Sequence, residues 1–154
     1  MIRFHVPAVP VAQPRQRHRV LTAAGRTFAH NFTPAKHPVQ AFKATVRLAF
    51  QTTVQPHETA LAIGPVGLYL TFVLPRPKSL TWKKRAMPRL WHTSKPDTDN
   101  LAKAVKDALT GLAWKDDSQV CFVEARKLYA AGDESPGVLV EIETLGAWSP
   151  TDAD

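Results

Sequence analysis

Apolar and polar residues alternate with two different periods along the first half of this chain, and each period predicts a different element. Residues 1–8 carry apolar side chains at every second position, which is typical of a strand that the following prolines end. From Pro34 or Pro38 to about Val54 the apolar residues recur at steps of three and four, which predicts a helix with one buried face. Residues 66–74 alternate with apolar side chains on both faces, so we expect a central strand.

The second half of the chain predicts one further helix and two further strands. Asp97 or Asp99 suits the N-cap of a helix that buries one apolar face and ends at Gly111. Residues 119–123 and 138–143 are strand-like and flank a turn with two glycines. We therefore expect these two strands to pair as an antiparallel hairpin.

The predicted order of elements is β-α-β-α-β-β, which favours a single domain of the α/β or α+β class. In such a domain two main helices pack on a small mixed sheet. At 154 residues the chain is long enough for one core and short for two. We expect the domain to span residues 1–146 and residues 147–154 to form a flexible tail.

The composition is that of a folded protein and excludes several kinds of site. Hydrophobic residues make up 44% of the chain, but no apolar run could span a bilayer and no signal peptide is evident, so we expect a cytoplasmic protein without a membrane partner. The one cysteine, Cys121, excludes an internal disulfide and a cysteine-rich zinc site. Because Cys121 lies in an apolar run, we expect it to be a small core residue.

Lys and Arg number 20 against 13 Asp and Glu, and the resulting net charge of +7 indicates a nucleic-acid partner. The excess is concentrated in residues 13–19, which predict a basic loop, and in residues 82–89, a loop, short helix or flap. Each segment has two interpretations, a grip on DNA phosphates or a solvated surface. Trp82 and Trp91 flank the second segment and offer rings on which an unpaired base could stack. The candidate DNA-binding residues are Arg15, Arg17, Arg19, Lys83, Lys84 and Arg85.

Within this positively charged chain, four aspartates form two short acidic clusters, Asp97 with Asp99 and Asp116 with Asp117. Carboxylate oxygens are the ligands that Mg²⁺ prefers, and ions held in this way can activate water and stabilise the leaving oxygen of a phosphodiester. Three other interpretations stay open: a helix cap for the first pair, a turn for the second, and the Asp-x-Asp metal site of enzymes that bind nucleotide sugars. No HExxH, GxSxG or glycine-rich phosphate loop offers a rival chemistry.

The length of the second helix sets a condition for one shared site. From Asp99 to Thr110 the predicted helix rises about 16 Å. The six or seven residues that follow span about 20 Å only when nearly extended. Residues 111–117 must therefore run back along the helix, with Leu112 and Trp114 packed against it, or the site must be assembled across a dimer.

Two stretches, KPDTDNLAKAVKDALTG from Lys95 to Gly111 and WKDDSQV from Trp114 to Val120, closely resemble the signature of the RusA family of Holliday junction resolvases of bacteria, prophages and phages. The specific pattern is Asp-x-Asp-Asn-Leu-x-Lys, Asp-Ala-Leu and Asp-Asp-x-Gln-Val. The resemblance implies a homodimeric endonuclease that depends on Mg²⁺, with Mn²⁺ as an alternative ion. Such an enzyme nicks four-way DNA junctions symmetrically during recombination and repair.

The resemblance also implies roles by position. Lys103 matches a functionally important lysine, expected either to neutralise charge on the scissile phosphate or to hold Asp99. Asn100 is expected to orient the site. Asp107, which follows Asp99 and Lys103 in an alternating column of charges, is expected to be either the partner of Lys103 or an orienting group. The family's essential metal-binding aspartates are matched by Asp97, Asp99 and Asp117, and the acid beside them by Asp116.

Two alternatives to a junction resolvase belong to other classes of function. One is a basic nucleic-acid-binding protein without catalysis, in which the aspartates only cap a helix and form a turn. The other is a less selective nuclease that accepts flaps or replication forks. Incubation with a synthetic four-way junction, with Mg²⁺ or with chelator, separates the first alternative, and a panel of branched substrates separates the second.

Overall fold

Two sheets and two α-helices form the described part of the chain, which in this computed structural model comprises residues 1–15, 17–54 and 62–148. For residues 17–19, 21 and 28–32 the description covers the backbone alone. The elements confirm the α+β class, with a mixed sheet and two main helices. The strands are β1 (Ile2–Val6), β2 (Arg17–Ala23), β3 (Arg26–Phe32), β4 (Val66–Leu74), β5 (Leu90–Trp91), β6 (Val120–Tyr129) and β7 (Gly137–Thr144), and the helices are α1 (Pro38–Thr53) and α2 (Thr98–Leu109).

The main sheet has five strands in the order β1-β7-β4-β6-β5. Its middle strand, β4, pairs antiparallel with β7 and parallel with β6, which confirms the central strand expected from apolar residues on both faces. Alternate residues of β4 are buried in one core together with the apolar faces of both helices. These β4 residues are Val66, Leu68, Leu70, Phe72 and Leu74.

Helix α1 forms where the three- and four-residue spacing predicts it. Its N-cap is His37, whose Nδ1 accepts a hydrogen bond from the Val39 amide at 3.1 Å, and Pro38 opens the first turn. The helix packs on α2, and Phe50 makes an edge contact with Phe4 of β1 at 5.7 Å between ring centroids. Burial of a side chain such as Phe50 contributes about 1.5–3 kcal/mol to stability, so this packing fixes α1 and, through it, α2.

The predicted hairpin between the last two strands is wrong. β6 and β7 both pair with β4 and lie on opposite sides of it. A strand that is apolar on both faces belongs in the middle of a sheet, where each of its two edges pairs with another strand. Residues 130–136 are long enough to pass over the end of β4, since adjacent strands are only about 4.8 Å apart. The Ala130 amide donates to the Leu74 carbonyl at 2.9 Å during this passage.

The predicted order of elements lacks three strands that the structure contains. The basic segment at residues 13–19 is not a loop throughout, because residues from Arg17 onward form β2, which pairs with β3 in a separate two-stranded sheet. Ala24 and Gly25 connect the two strands with φ of 51° and 73°, the left-handed backbone that matches the twist of a tight hairpin. The third added strand, β5, has two residues and pairs with the end of β6.

Two further expectations concern residues at the margins of the fold. Cys121 is exposed, so the prediction of a core position is wrong. It lies in the half of β6 that β5 does not cover. The predicted tail, residues 147–154, falls outside the described residues from Ser149 onward. Among the helices that the structure describes, none is both long enough and apolar enough to cross a membrane.

Candidate active site

The first acidic pair lies at the N-terminus of α2. Asp97 is the N-cap residue by position, and its carbonyl accepts a hydrogen bond from the Leu101 amide at 3.1 Å. Its carboxylate caps no backbone amide of the helix. Asp99 follows in the first turn, and both residues are exposed at the positive end of the helix dipole. Asp97 therefore occupies the predicted N-cap position, but its side chain accepts no capping hydrogen bond from the helix backbone.

Lys127 of β6 holds the loop that leads into this pair. Its ammonium group donates hydrogen bonds to the carbonyls of Ser94 at 2.5 Å and Pro96 at 2.7 Å. The Lys127 carbonyl in turn accepts from the His92 amide at 3.1 Å. Charge-assisted hydrogen bonds are about twice as strong as neutral ones, so the backbone just before Asp97 is fixed against the sheet.

His92 is buried beside this loop. Its ring packs on Tyr129, with 4.4 Å between the ring centroids. Burial, and secondarily the positive charge of Lys127, lower the pKa of His92. The ring is therefore neutral at physiological pH. Neither His92 nor Lys127 stands out in the sequence, because each acts through a contact between segments far apart in the chain.

The second acidic pair forms a single turn of 3₁₀ helix, residues 117–119, before β6. Asp116 accepts hydrogen bonds from the amide of Ser118 at 2.8 Å and from its hydroxyl at 2.5 Å. These bonds lower the pKa of Asp116. The Gln119 side chain accepts from the Asp116 amide at 3.0 Å, which completes a capping box. Asp116 thus builds the turn, as the turn interpretation of this pair predicts.

Asp117 is presented by that turn towards α2. Its Oδ2 lies 3.2 Å from Nζ of Lys106, while its Oδ1 is buried and has no hydrogen-bond partner among the described residues. Seven residues separate Lys106 from Asp99, so the two lie on one side of the helix, about 10 Å apart along its axis. Buried polar atoms are rarely left unpaired, and the Oδ1 of Asp117 is therefore a candidate ligand atom.

The chain between the two pairs does fold back. Gly111 ends α2 with φ of 83°, and its amide donates to the Trp114 carbonyl at 2.7 Å. The Trp114 ring is fully buried, and its Nε1 donates to Oγ1 of Thr110 at 3.1 Å. This tight reversal confirms the condition set for residues 111–117, with Trp114 as the packed residue.

The acids nevertheless do not meet at one point. Within residues 1–15, 17–54 and 62–148, no three Asp, Glu, His or Cys side chains are close enough together to hold a metal ion. Asp97 and Asp99 lie at the start of α2, and Asp117 lies beside its third turn. The exposed side chain of Lys103 occupies the same side of the helix between them.

Asp107 does not pair with Lys103. Its Oδ2 lies 3.3 Å from Nζ of Lys43, a buried residue of α1, so the predicted column of alternating charges is wrong at this position. The neighbouring Arg47 donates from Nε to the Ala108 carbonyl at 3.1 Å. Both contacts fix α2 to α1. Among the described residues Lys103 belongs to no ion pair.

The basic segment at residues 82–89 is a loop between β4 and β5. Its two arginines contact other side chains, whereas its two lysines are exposed. The Arg85 guanidinium lies 3.8 Å from the centroid of the Trp82 ring, which leaves that face of Trp82 covered. Arg89 pairs with Glu134. Lys83 and Lys84 are exposed.

The other basic candidates, Arg15, Arg17 and Arg19, lie in the N-terminal segment of the chain. The Gln13 amide donates to the Asn100 carbonyl at 2.9 Å, which places exposed Arg15 close to the acidic end of the helix. The backbones of Arg17 and Arg19 belong to β2, and their side chains lie outside the description.

Comparison with known proteins gives consistent results. A family model described as endodeoxyribonuclease RusA matches residues 7–143. The uncharacterized protein YqaN of Bacillus subtilis (strain 168) is 36% identical over 151 residues, which cover 95% of this chain and 98% of that protein. The crossover junction endodeoxyribonuclease rusA of Lactococcus phage r1t is 35% identical over 79 residues, 51% of this chain and 53% of that protein. Nucleases of the matched family generally depend on divalent metal ions. The chain therefore belongs to the RusA family of endodeoxyribonucleases, the Holliday junction resolvases, and is a hydrolase that acts on DNA junctions.

Proposed function

We propose that Asp97 and Asp99 hold Mg²⁺, or Mn²⁺ in its place, and that strand cleavage takes place at the N-terminus of α2. The observation that carries this proposal is a pair of exposed carboxylates, neither in an ion pair with a described residue, on a backbone held by Lys127. Mg²⁺ is commonly bound by one or two carboxylates together with waters and phosphate oxygens, so this donor set fits the ion. When bound, the ion supplies an activated water and neutralises charge on the leaving oxygen.

Asp117 is proposed as a further ligand acid, which lies beside the third turn of α2 and does not form one cluster with Asp97 and Asp99 in the described residues. Its unpaired Oδ1 fits a ligand role, and Lys106 holds the carboxylate beside α2 through Oδ2. Asp116 contributes indirectly, because it fixes the turn that presents Asp117. Its Oδ1 accepts both hydrogen bonds from Ser118, so a direct ligand role of Asp116 would fall to its Oδ2.

Lys103 acts on the DNA in this proposal. Its ammonium group is exposed one turn after Asp99, where it neutralises charge on the scissile phosphate. Asn100 and Asp107 act as orienting residues. The Asn100 carbonyl binds the N-terminal segment, and Asp107 locks α2 to Lys43 of α1.

In this proposal the side chains of the two basic segments bind the phosphates of the DNA backbone. Lys83 and Lys84 are the clearest candidates, since they are exposed cations in the loop next to β5. Arg85 contacts phosphate only on the side of its guanidinium that faces away from Trp82. Arg15, Arg17 and Arg19 complete the proposed grip from the N-terminal segment, near the first turn of α2. Each phosphate contact releases counterions, so binding weakens steeply with salt.

A homodimer in the cytoplasm of a bacterium or of a phage-infected cell is the proposed working form. A closed two-fold dimer presents each surface twice, which matches the two-fold symmetry of a four-way junction. Two identical sites would then place paired nicks on opposing strands during recombination and repair.

The test uses the full chain and a synthetic four-way junction. We expect cleavage with Mg²⁺ and none with chelator, whereas Asp97→Asn should bind the junction and fail to cut it. Asp133→Asn is the matched control, because Asp133 is an exposed aspartate in the turn before β7. Junction cleavage by Asp97→Asn at the wild-type rate would remove Asp97 from the mechanism. Equal cleavage of flaps and forks would replace the resolvase by a less selective branched-DNA nuclease.

A further inference from the structure

An open groove of about 540 Å³ lies next to the proposed cleavage site, and none of the roles above uses it. It runs along the edge of β6 at residues 124–127, and its other walls are Trp91, His92 and Thr98. Thr98 is the residue between Asp97 and Asp99. The groove therefore reaches the first turn of α2, where the two acids of the proposed chemistry lie, although neither acid is among its walls.

Trp91 is the most unusual feature of this groove. The residue is 70% exposed although it belongs to a strand of the main sheet. An exposed ring of this size buries little apolar surface and so contributes little to folding. A flat aromatic surface held on a short strand is, however, well suited to stack on a nucleobase. The Trp82 ring differs, since the guanidinium groups of Arg85 and Arg76 lie 3.8 Å and 5.4 Å from its centroid.

The edge of β6 supplies hydrogen-bonding groups beside this ring. β5 pairs only with Leu128 and Tyr129, and the last contact at this edge is the Lys127 carbonyl with the His92 amide. Alternate residues of a strand direct their backbone groups to the same side, so Ala125 directs its N–H and C=O outward, as Lys127 does. Past His92 no described strand pairs with this edge. The groove therefore presents one donor and one acceptor where a longer β5 would otherwise continue.

We propose that this groove receives one unstacked nucleobase of the strand that is cut, stacked on Trp91 and read at its edge by the backbone of Ala125. A base edge carries adjacent donors and acceptors of this kind, and unpaired bases are read by such edge contacts together with stacking. Arg126, Lys127 and Glu124 line the groove, and Arg126 forms an ion pair with Glu124. The chain as a whole carries a net charge of +7, which suits a polyanion. This inference rests on the proposed function, because it makes the groove the part of that site that selects the position of the cut.

A second copy of this chain is the competing occupant, since an unpaired strand edge can also pair with another edge. Nucleic acid is favoured by the location. The groove adjoins the acids of the proposed site and contains an aromatic ring, whereas the exposed apolar residues Phe122 and Val123 lie outside it, nearer the start of β6.

The first measurement uses a single-stranded oligonucleotide with one 2-aminopurine, in chelator so that no strand is cut. We compare wild type, Trp91→Ala and Trp91→Phe with Trp148→Ala, a matched control for an exposed tryptophan elsewhere. Trp91→Ala should lower the affinity about tenfold, as expected for the loss of one base–aromatic stack. Trp91→Phe should retain most of the affinity, and Trp148→Ala all of it. Circular dichroism of each variant checks that it is folded.

The second measurement maps the cleavage positions on a junction with Mg²⁺. Trp91→Ala should still cut but spread its cuts over neighbouring nucleotides, while Trp148→Ala keeps the wild-type pattern. Unchanged affinity and an unchanged pattern in Trp91→Ala would overturn the inference and leave the proposed function standing. A wild-type protein that never cuts junctions would instead refute the proposed function. A lower mass of Trp91→Ala in sedimentation, with unchanged oligonucleotide binding, would make the groove an interface between copies.

Discussion

Asp97 and Asp99 stand at the start of α2, Asp116 and Asp117 stand at the turn before β6, and the two pairs use their oxygens differently. The first pair caps nothing and stays exposed to solvent. In the second pair Asp116 accepts two hydrogen bonds from Ser118 and builds its own turn. The Oδ1 of Asp117 is buried there and has no hydrogen-bond partner among the described residues.

The difference shows how a chain can keep a carboxylate available for a ligand. A carboxylate that makes no hydrogen bond within its loop does not stabilise that loop, so other groups must do so. At the first pair, Lys127 donates hydrogen bonds to the carbonyls of Ser94 and Pro96. At the second pair, Asp116 and Gln119 stabilise the turn through a capping box, and the turn begins with Asp117. In the proposed site the first pair would supply two ligands on a loop that Lys127 holds, and the second would supply Asp117 on a turn that Asp116 and Gln119 hold.

The largest effects are expected when one acid is removed from each pair. Asp99→Asn should lower the rate of junction cleavage about a hundred- to a thousandfold, the usual effect of removing one electrostatic group from a reaction site. Its melting temperature should not fall, because no described residue forms an ion pair with Asp99. Asp116→Ala should show the opposite order of effects, with a lower melting temperature and a smaller loss of cleavage.

Both variants are measured by thermal unfolding and by cleavage of the same junction, with Asp133→Asn as the control for loss of one surface charge. If Asp116→Ala loses as much activity as Asp99→Asn without any loss of stability, Asp116 is a ligand rather than a turn-building residue, and the contrast between the two pairs disappears.

A smaller effect is expected from the support of the first pair. Lys127→Met should lower cleavage about ten- to a hundredfold, the range for residues that orient metal ligands. It should also raise the Mg²⁺ concentration needed for half-maximal cleavage, because the backbone before Asp97 is no longer fixed to β6. Lys127→Arg should restore part of both values, since a guanidinium can still donate to the two carbonyls.

Lys36→Met, which removes an exposed lysine before α1, is the matched control for Lys127→Met. Titration of each variant with Mg²⁺ separates a lost support from a lost charge on the DNA. A lower maximal rate at an unchanged half-saturating Mg²⁺ concentration would show that Lys127 does not position Asp97.

The helices could be predicted closely, and the strand partners could not. α1 and α2 follow the three- and four-residue spacing because each buries a single stripe, which is a local property of the sequence. The pairing of β6 and β7 with β4 depends on which strand takes the middle of the sheet. Nothing in the local sequence of β6 encodes that choice. The two-residue strand β5 is too short to show any period.

The candidate site divides in the same way. The acids and Lys103 are recognisable as a motif, and the fold-back at Trp114 is one of the two arrangements that the length of α2 left open. The supporting groups lie far away in the sequence. Lys106 is separated from Asp117 by 11 positions and Lys127 from Pro96 by 31, so their roles depend on tertiary packing. A lysine seven residues after Asp99, on the same side of α2, is the one signal that could have pointed to Lys106.

The smallest predicted effect is a pH dependence that links His92 to the support of the first pair. Burial, and then the charge of Lys127, lower the pKa of His92 in the folded protein, whereas the unfolded chain takes up this proton near pH 6.5. The stability that His92 contributes is therefore complete above about pH 6.5 and is lost as the pH falls from there through the lower folded pKa. Urea unfolding at pH 7.5 and at pH 5.5 should show this loss in the wild type and a smaller one in His92→Gln. Lys127→Met should also reduce it, because one cause of the lowered pKa is gone. An equal pH dependence in all three proteins would mean that other groups titrate, and that the contact between His92 and Lys127 does not couple the loop to pH.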